Sequence, residues 1–367
     1  MGYAFNLLMN HTFSTILNLT GKGSDHMNET RVRIVDIADE LGLSTATVSN
    51  VIHGKTKKIS DETVRRVQQK LEETGYIPNM AGILLARNNS HIIGVIIHDN
   101  EKYEGQVLED GFVMASLNAL SHEVNEKGYF LMVKTTSDPE EIPVFASMWN
   151  MDGLILMGFC EADYEKLRSK MHISFVVYDG YFNNDQSKIV NLVIDHYDGG
   201  FQAGLHLKEL GHKKALCIAD NFTFMDRERI EGFQKAFSPG ETVFWQIPMS
   251  RVERHSFYKD HYKLLLNNKI SAVFAVSDYY ALDFARFIQS QGLHIPDDIQ
   301  IVGFDDSAAS RDSVPSLTTI HQDAPLRARR AIECIEQMKN GICPDPEIVL
   351  PVTLLKREST KKIDHKE

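Results

Sequence analysis

Cysteine is scarce in this chain, with Cys160, Cys217, Cys334 and Cys343 as the only four among 367 residues and no CxxC pair. That excludes a disulfide-stapled secreted scaffold, and thiols set mostly in apolar strand or helix contexts read as buried and reduced. No apolar run approaches the roughly 20 residues of a membrane span, and no basic n-region of a signal peptide is present, so a cytoplasmic protein without a membrane partner is expected. No P-loop, nucleophile elbow or dinucleotide fingerprint follows a strand, and the carboxylates are scattered without a paired geometry. Neither catalysis nor a cofactor is expected. Among the 15 histidines, His206 and His212 come closest to a metal set. Neither belongs to an i, i+4 pair with a carboxylate partner, so packed or surface imidazoles are expected and no metal.

The remaining composition is that of a folded chain long enough for two or three domain-sized cores, at 43% hydrophobic content. A formal net charge of −11 excludes nucleic-acid binding along the whole surface but leaves room for a local basic module. From Arg31 to Asn89 the cations outnumber the carboxylates by two, so the acidity lies beyond.

The segment IVDIADELGLSTATVSNVI, Ile34 to Ile52, places Ile37, Leu41, Leu43, Val48 and Val51 at helical spacing around a central Gly42. A small Ala38 permits close helix approach, and Gly42 supplies the positive φ of a tight inter-helix turn. Ser44 stands at the N-cap of a second helix whose other face, short and polar, suits a major groove. A third helix from Ser60 supplies Val64, Val67 and Leu71 to close a small three-helix domain. Without that third helix an ordinary core hairpin would explain the pattern equally well. Lys55, Lys57 and Lys58 are either a solvated loop or, just after a recognition helix, phosphate contacts.

From His91 the chain alternates apolar runs with helical segments: HIIGVII, YFLMVK, DGLILMG, ISFVVYD, ALCIAD, AVFAVS and IQIVGFDD. Near-continuous hydrophobicity implies burial on both faces, hence parallel sheets covered by helices, an α/β core. Ligands bind outside the carboxyl ends of such strands. There stand Asp99, Asp179, Phe224, Ser277, Tyr279 and Asp305. Phe112 and Tyr103 are either core aromatics or platforms for a ligand ring.

These motifs together resemble the lac-repressor (LacI/GalR) family of transcription regulators. The likeness rests on VRIVDIADELGLSTATVSNVIHG, GYIPNMAGILLAR and IIGVII, then RERIEGF, VSD, IPDDIQIVGFDD and LLKREST, and spans Val32 to Thr360. It implies a helix-turn-helix headpiece (31–76), a hinge helix (77–90), and a two-lobed core like that of periplasmic binding proteins. The first lobe is expected at 91–193 and 321–345, the second at 194–320 and 346–360, with a tail at 361–367. The resemblance implies a repressor whose affinity for operator DNA is set by a small effector. It also implies that Arg229 points into the cleft beside Asp305. An arginine with five donors and an aspartate with only acceptors suit a sugar or other polyol. Ser277 departs from the usual Asn, and DNEKYEGQVLEDGF departs from the usual sequence after the first strand.

On DNA, Thr45, Ala46 and Asn50 are expected to meet base edges, and Ser44, Thr47, Ser49, Lys55, Tyr76 and Asn79 to meet phosphates. Leu85 aligns with the family's minor-groove wedge, while Gly82 and Ile83 depart from its hinge pattern. Asn50 stands where most relatives carry Arg. Since one recognition helix reads a half-site, a homodimer on a pseudo-palindromic operator is expected. The short charged tail KKIDHKE offers no apolar heptads for a tetramer. Residues 1–30 are expected to be disordered or untranslated, with Met27 as the start; the intact mass of the native product tests this. The contrasting readings are a transport-type sugar-binding protein and an α/β enzyme acting on a sugar.

Overall fold

The computed structural model describes residues 32–52, 54–76, 90–159, 167, 171, 173–180 and 190–363. The hinge segment with Asn79, Gly82, Ile83 and Leu85, the extension at 1–30 and Cys160 lie outside the described residues. The chain divides into an N-terminal unit and a larger second unit.

In the first unit α1 (Ile34–Leu41), α2 (Thr45–Ile52) and α3 (Asp61–Thr74) close on Ile37, Ala38, Val48, Val51 and Val67. Burying each larger side chain contributes about 1.5–3 kcal/mol, enough for a small core when the caps are in place. Gly42 at φ 65° ends α1, and its amide bonds to the Asp39 carbonyl. Ser60 caps α3 by accepting from the Thr63 amide, and Gly75 at φ 59° ends it.

The second unit runs β1 (Ile92–His98), α4 (Gly111–Glu126), β2 (Phe130–Thr136), α5 (Glu141–Met148), β3 (Gly153–Met157), β4 (Phe175–Tyr178) and β5 (Val190–Ile194). It continues through α6 (His196–Glu209), β6 (Lys214–Ala219), α7 (Phe224–Phe237), β7 (Glu241–Gln246), α8 (Arg251–Asn267), β8 (Ala272–Ala275) and α9 (Asp278–Ser290). It ends with β9 (Gln300–Asp305), α10 (Ala308–Asp312), β10 (Thr318–Gln322), α11 (Ala324–Lys339), β11 (Glu347–Leu350) and β12 (Val352–Leu355). Two six-stranded sheets result, ordered β11-β5-β4-β3-β1-β2 and β12-β10-β9-β8-β6-β7. All pairings are parallel except β10 with β12. In each sheet the chain reverses direction of growth beside its first strand, at β1/β3 and β6/β8, which opens a crevice at the carboxyl ends.

Two expected boundaries need correction. Glu347–Leu350 pairs with Val190–Ile194 in the first sheet, so 346–350 belong to the first lobe. His321 and Gln322 belong to β10 in the second sheet, so 321–322 belong to the second. EIVLPVTLL reads as one apolar run, but Pro351 lacks the amide to continue a ladder, and the chain changes sheets there. Among the described residues the seven expected strands are present with five more. Among the missed ones TTIHQ is polar-rich and ETVFWQ alternates at a sheet edge. β2, expected to be buried on both faces, is an edge strand whose Phe130 and Val133 are exposed. Cys217 and Cys334 are buried as expected, but Cys343 is exposed in the loop before β11.

Candidate functional site

Helix α2 carries two faces. Val48 and Val51 are buried, while Thr45, Ala46 and Asn50 are exposed, with Ser49 half-buried beside them. Thr45 with Ser49, and Ala46 with Ser49 and Asn50, form one stripe because residues three or four apart share a helix face. The Ser44 hydroxyl accepts from the Thr47 amide at 3.1 Å and pairs with the Thr47 hydroxyl at 2.9 Å. Only one of the two hydroxyls donates to the other, so one donor is left for an outside acceptor. Gly54 at φ 68° turns the chain after α2, and the Lys55 amide bonds to the Asn50 carbonyl at 2.8 Å. Lys55, Lys57 and Lys58 are exposed, and Tyr76 packs half-buried on the small core.

In the larger unit a cavity of about 250 Å³ lies at the carboxyl ends of both sheets. Phe112, Asp179, Phe224, Arg229, Ser277, Tyr279 and Asp305 line it, all from the expected set. Asp99 does not. Its amide donates to the Thr136 carbonyl, which extends the β1–β2 ladder, and strand alternation gives the cavity His98 and Asn100 instead. Asp179, Phe224 and Asp305 hold φ of 50°, 46° and 118°, unusual for residues with a side chain. Such backbone strain collects at ligand sites because surrounding packing sustains it.

Arg229 is fixed before any ligand arrives. Nε donates to His196 Nδ1 at 3.2 Å, Nη1 donates to the Val276 carbonyl, and the guanidinium lies 3.8 Å from the Phe304 ring centre. Close packing of α6 on α7 seats it. A Cβ on Gly200 would stand 1.8 Å from the Arg229 carbonyl oxygen, and one on Gly232 would stand 2.0 Å from that of Tyr197. His196 Nε2 in turn reaches Asp179 Oδ1 at 3.2 Å, and Arg327 reaches the same oxygen at 2.7 Å. Burial favours the neutral form of His196, with Asp179 opposing. Accepting from Arg229 at Nδ1 assigns the proton to Nε2, facing the carboxylate. Burial alone would raise the Asp179 carboxyl, but Arg327 and His196 outweigh it and hold it far below the usual range.

The second-lobe wall is acidic. Burial pushes the Asp305 carboxyl well up, against Arg229, and Asp278 and Asp110 push it further. Gln322 donates to Asp305 Oδ1 at 2.6 Å. Arg229 and Asp305 form no ion pair, so they face the cavity as separate donor and acceptor. Asp278, buried behind this wall, is pushed up to about 6 by desolvation despite hydrogen bonds from Thr319 and Ser307. Asn221 bridges Asp220 and Asp226 at 2.8 Å each. The Tyr178 hydroxyl and Gln322 Oε1 are buried in the lining without partners.

Sequence reasoning missed His196 and Arg327, which position Asp179 and Arg229, because their partners are distant in the chain. It also missed Asp110, although Asp-Gly-Phe at the start of α4 is a readable N-cap; its carboxylate accepts from the Phe112 and Val113 amides at 3.1 Å each. His206 and His212 are packed and bond the Thr360 and Ser271 hydroxyls. Among the described residues no group of three His, Cys, Asp or Glu side chains is placed to hold a metal ion. No helix among the described residues is long and apolar enough to cross a membrane.

Residues 33–79 match the model of the bacterial regulatory proteins of the lacI family, and 205–360 match that of a periplasmic binding protein-like domain. The chain is 31% identical over 348 residues to an HTH-type transcriptional repressor, PurR, of Haemophilus influenzae, covering 90% of this chain and 99% of the relative. A solved lac repressor dimer bound to operator and an anti-inducer is similar with a TM-score of 0.74 at 25% identity, covering 90% of this chain and 99% of that one. A periplasmic binding protein/LacI transcriptional regulator of Alkaliphilus metalliredigens, complexed with D-xylulofuranose, is similar with a TM-score of 0.62 at 25% identity. That match covers 74% of this chain and 99% of that one.

Proposed function

Because the chain belongs to the lacI family and is a DNA-binding transcriptional repressor, not an enzyme, we propose that a small hydroxyl-rich effector, a sugar or sugar derivative, controls its operator affinity. The effector sits in the cleft between the two lobes. The observation that carries this reading is the cavity wall on which fixed Arg229 donors and the Asp305 acceptor face the same space. Hydroxyls both donate and accept, so a polyol satisfies the two together, and the unpartnered Gln322 Oε1 and Tyr178 hydroxyl as well. The cavity of about 250 Å³ has room for a small ring such as a monosaccharide. The sugar in the Alkaliphilus relative supports the same class.

The protein acts in the cytoplasm as a homodimer on a pseudo-palindromic operator, each protomer laying α2 in one major groove. Thr45, Ala46 and Asn50 read bases. Ser44, Thr47, Ser49, Lys55, Tyr76 and Asn79 hold phosphates and set register, and Leu85 wedges into the minor groove. Selection of operator sequences, followed by retention assays with and without sugars, tests the reading. Two chains per operator and a sugar that shifts retention without being turned over are the expected results. Turnover of the sugar, or operator affinity that no small molecule alters, would sink it.

A further inference from the structure

The cleft is unevenly charged. Asp110, Asp220, Asp226 and Asp305 line it together with Asp179, while the lining cations are Lys102 and Arg229. Asp179 is matched from behind by Arg327 at 2.7 Å, which leaves four carboxylates facing two cations. Both cations are already set against these carboxylates. Lys102 lies in the fields of Asp220, Asp226 and Asp110. Arg229 has already committed Nε and one Nη1 hydrogen, and its plane is pinned on Phe304.

Helix N-termini are the other ordinary seat for a phosphate, and at the start of α4 the protein's own carboxylate fills that seat. The Asp110 carboxylate caps α4, taking the Phe112 and Val113 amides. Asp226 stands in the first turn of α7. Four buried polar atoms of the lining remain unpartnered, Gln322 Oε1, the Tyr178 and Tyr280 hydroxyls and His98 Nδ1, and they independently mark the space for a ligand. Gln322 Oε1 can only accept, and the Tyr178 hydroxyl, like Gln322 more than nine-tenths buried, donates or accepts. The acceptor calls for a ligand that brings hydrogens. Burial raises the carboxyls of Asp110, Asp226 and Asp305, so a further negative charge would be added where charge is already unfavourable.

Resting on the reading of this cleft as an effector site, we propose that it selects by charge: it takes an uncharged or amine-bearing polyol and rejects the phosphate ester of the same sugar. Asp220 and Asp226 are the residues that set this selection, with Lys102 moderating it. A hydroxyl or ammonium donor pairs with the carboxylates and Gln322, whereas a phosphate would have to displace the Asp110 carboxylate from the start of α4 or sit beside Asp226 in the first turn of α7.

The test uses the full chain, with thermal shift and isothermal titration against matched triplets: glucose, glucosamine and glucose 6-phosphate, and the galactose and mannose counterparts. In the series that binds, the phosphate ester is expected to bind at least tenfold more weakly than the parent, about 1.4 kcal/mol, and the amine at least as tightly. Asp220→Asn and Asp226→Asn should each shrink the discrimination against phosphate severalfold, and Lys102→Gln should enlarge it, so the proposal does not hang on one variant folding. A phosphate ester that binds tightest, or triplets in which no uncharged or amine-bearing member binds, overturns charge selection. If that phosphate ester also alters operator retention, effector control stands while the charge selection falls; if no compound alters retention, effector control itself falls.

Discussion

Replacing Arg327 with methionine removes the charge that holds Asp179 while keeping much of the buried volume. Arg327 is 2% exposed and Asp179 9%. Its guanidinium bonds the Asp179 carboxylate at 2.7 Å and the Leu192 carbonyl at 2.6 Å, and lies 4.2 Å from the Tyr178 ring centre. Removing one partner of a buried pair costs about 3–5 kcal/mol, because the other charge stays buried and unmatched. Against a total stability of roughly 5–15 kcal/mol that is a large fraction. Urea unfolding followed by tryptophan fluorescence measures it, with Trp149 reporting on the first lobe and Trp245 on the second. Adding Asp179→Asn should recover part of the loss, since contacting residues couple by about 0.5–3 kcal/mol.

The sign with pH follows from the two states of Asp179. In the wild type its folded carboxyl is held below the unfolded value of about 3.9, so its contribution is present above that pH and is lost only as pH falls through the folded value beneath it. In Arg327→Met, burial without the guanidinium raises the carboxyl, and the penalty is full at neutral pH and fades as pH falls through the raised value. His196, freed of one repelling cation, also gains a proton more readily as pH falls and can match Asp179. Both effects narrow the gap between wild type and variant from pH 7 toward pH 4. A loss under about 1 kcal/mol at pH 7, well short of the buried-pair range, or a gap independent of pH, would refute the reasoning.

The Asn50 amide, with one donor side and one acceptor side, fits adenine, so Asn50→Arg should move the preferred base from adenine to guanine at one symmetric position per half-site, with about 1–3 kcal/mol of discrimination; an unchanged base in a binding selection removes Asn50 from the reading residues. Gly200→Ala puts a methyl against the Arg229 carbonyl at 1.8 Å, so about 1–3 kcal/mol of overpacking cost and a weakened effector response are expected in thermal unfolding and titration; wild-type behaviour in both would show that α6 and α7 separate freely. In the hinge, Gly82→Ala should tighten operator binding by removing up to about 1 kcal/mol of helix-forming cost, and Leu85→Ala should abolish most operator bending; unaltered affinity and an unaltered bend angle by gel phasing contradict the two in turn. Burial lowers the His206 imidazole to about 4 from an unfolded value near 6.5. Its contribution is therefore present above pH 6.5 and lost as pH falls toward 4, and His206→Gln should flatten the melting-temperature decline over that window; parallel curves speak against it.

What could be read in the chain was local. The helix-turn-helix shows itself through Ala38, Gly42 and Ser44 because a tight turn and a cap depend on a few adjacent residue types. The central strands show themselves because burial on two faces demands unbroken apolar runs. Asp179, Phe224, Ser277 and Asp305 fall at the cavity because parallel strands end together, and a residue just past a strand end inherits that position. Asp99 breaks the rule because its amide extends the ladder to β2 while its neighbours His98 and Asn100 line the cavity.

Long-range pairing was not legible. Arg327 meets Asp179 from a helix late in the chain, and nothing in RARRAIE marks which arginine goes inward; burial decides it, at Arg327 but not at the half-exposed Arg330. The same holds for Arg229. Its five donors are known from its residue type, but the number left for a ligand depends on His196 and Val276, which reach it from α6 and the end of β8. With Nε and one Nη1 hydrogen committed, three of the five donors remain, on Nη1 and Nη2, and the plane's fixed seat on Phe304 decides where a ligand must meet them.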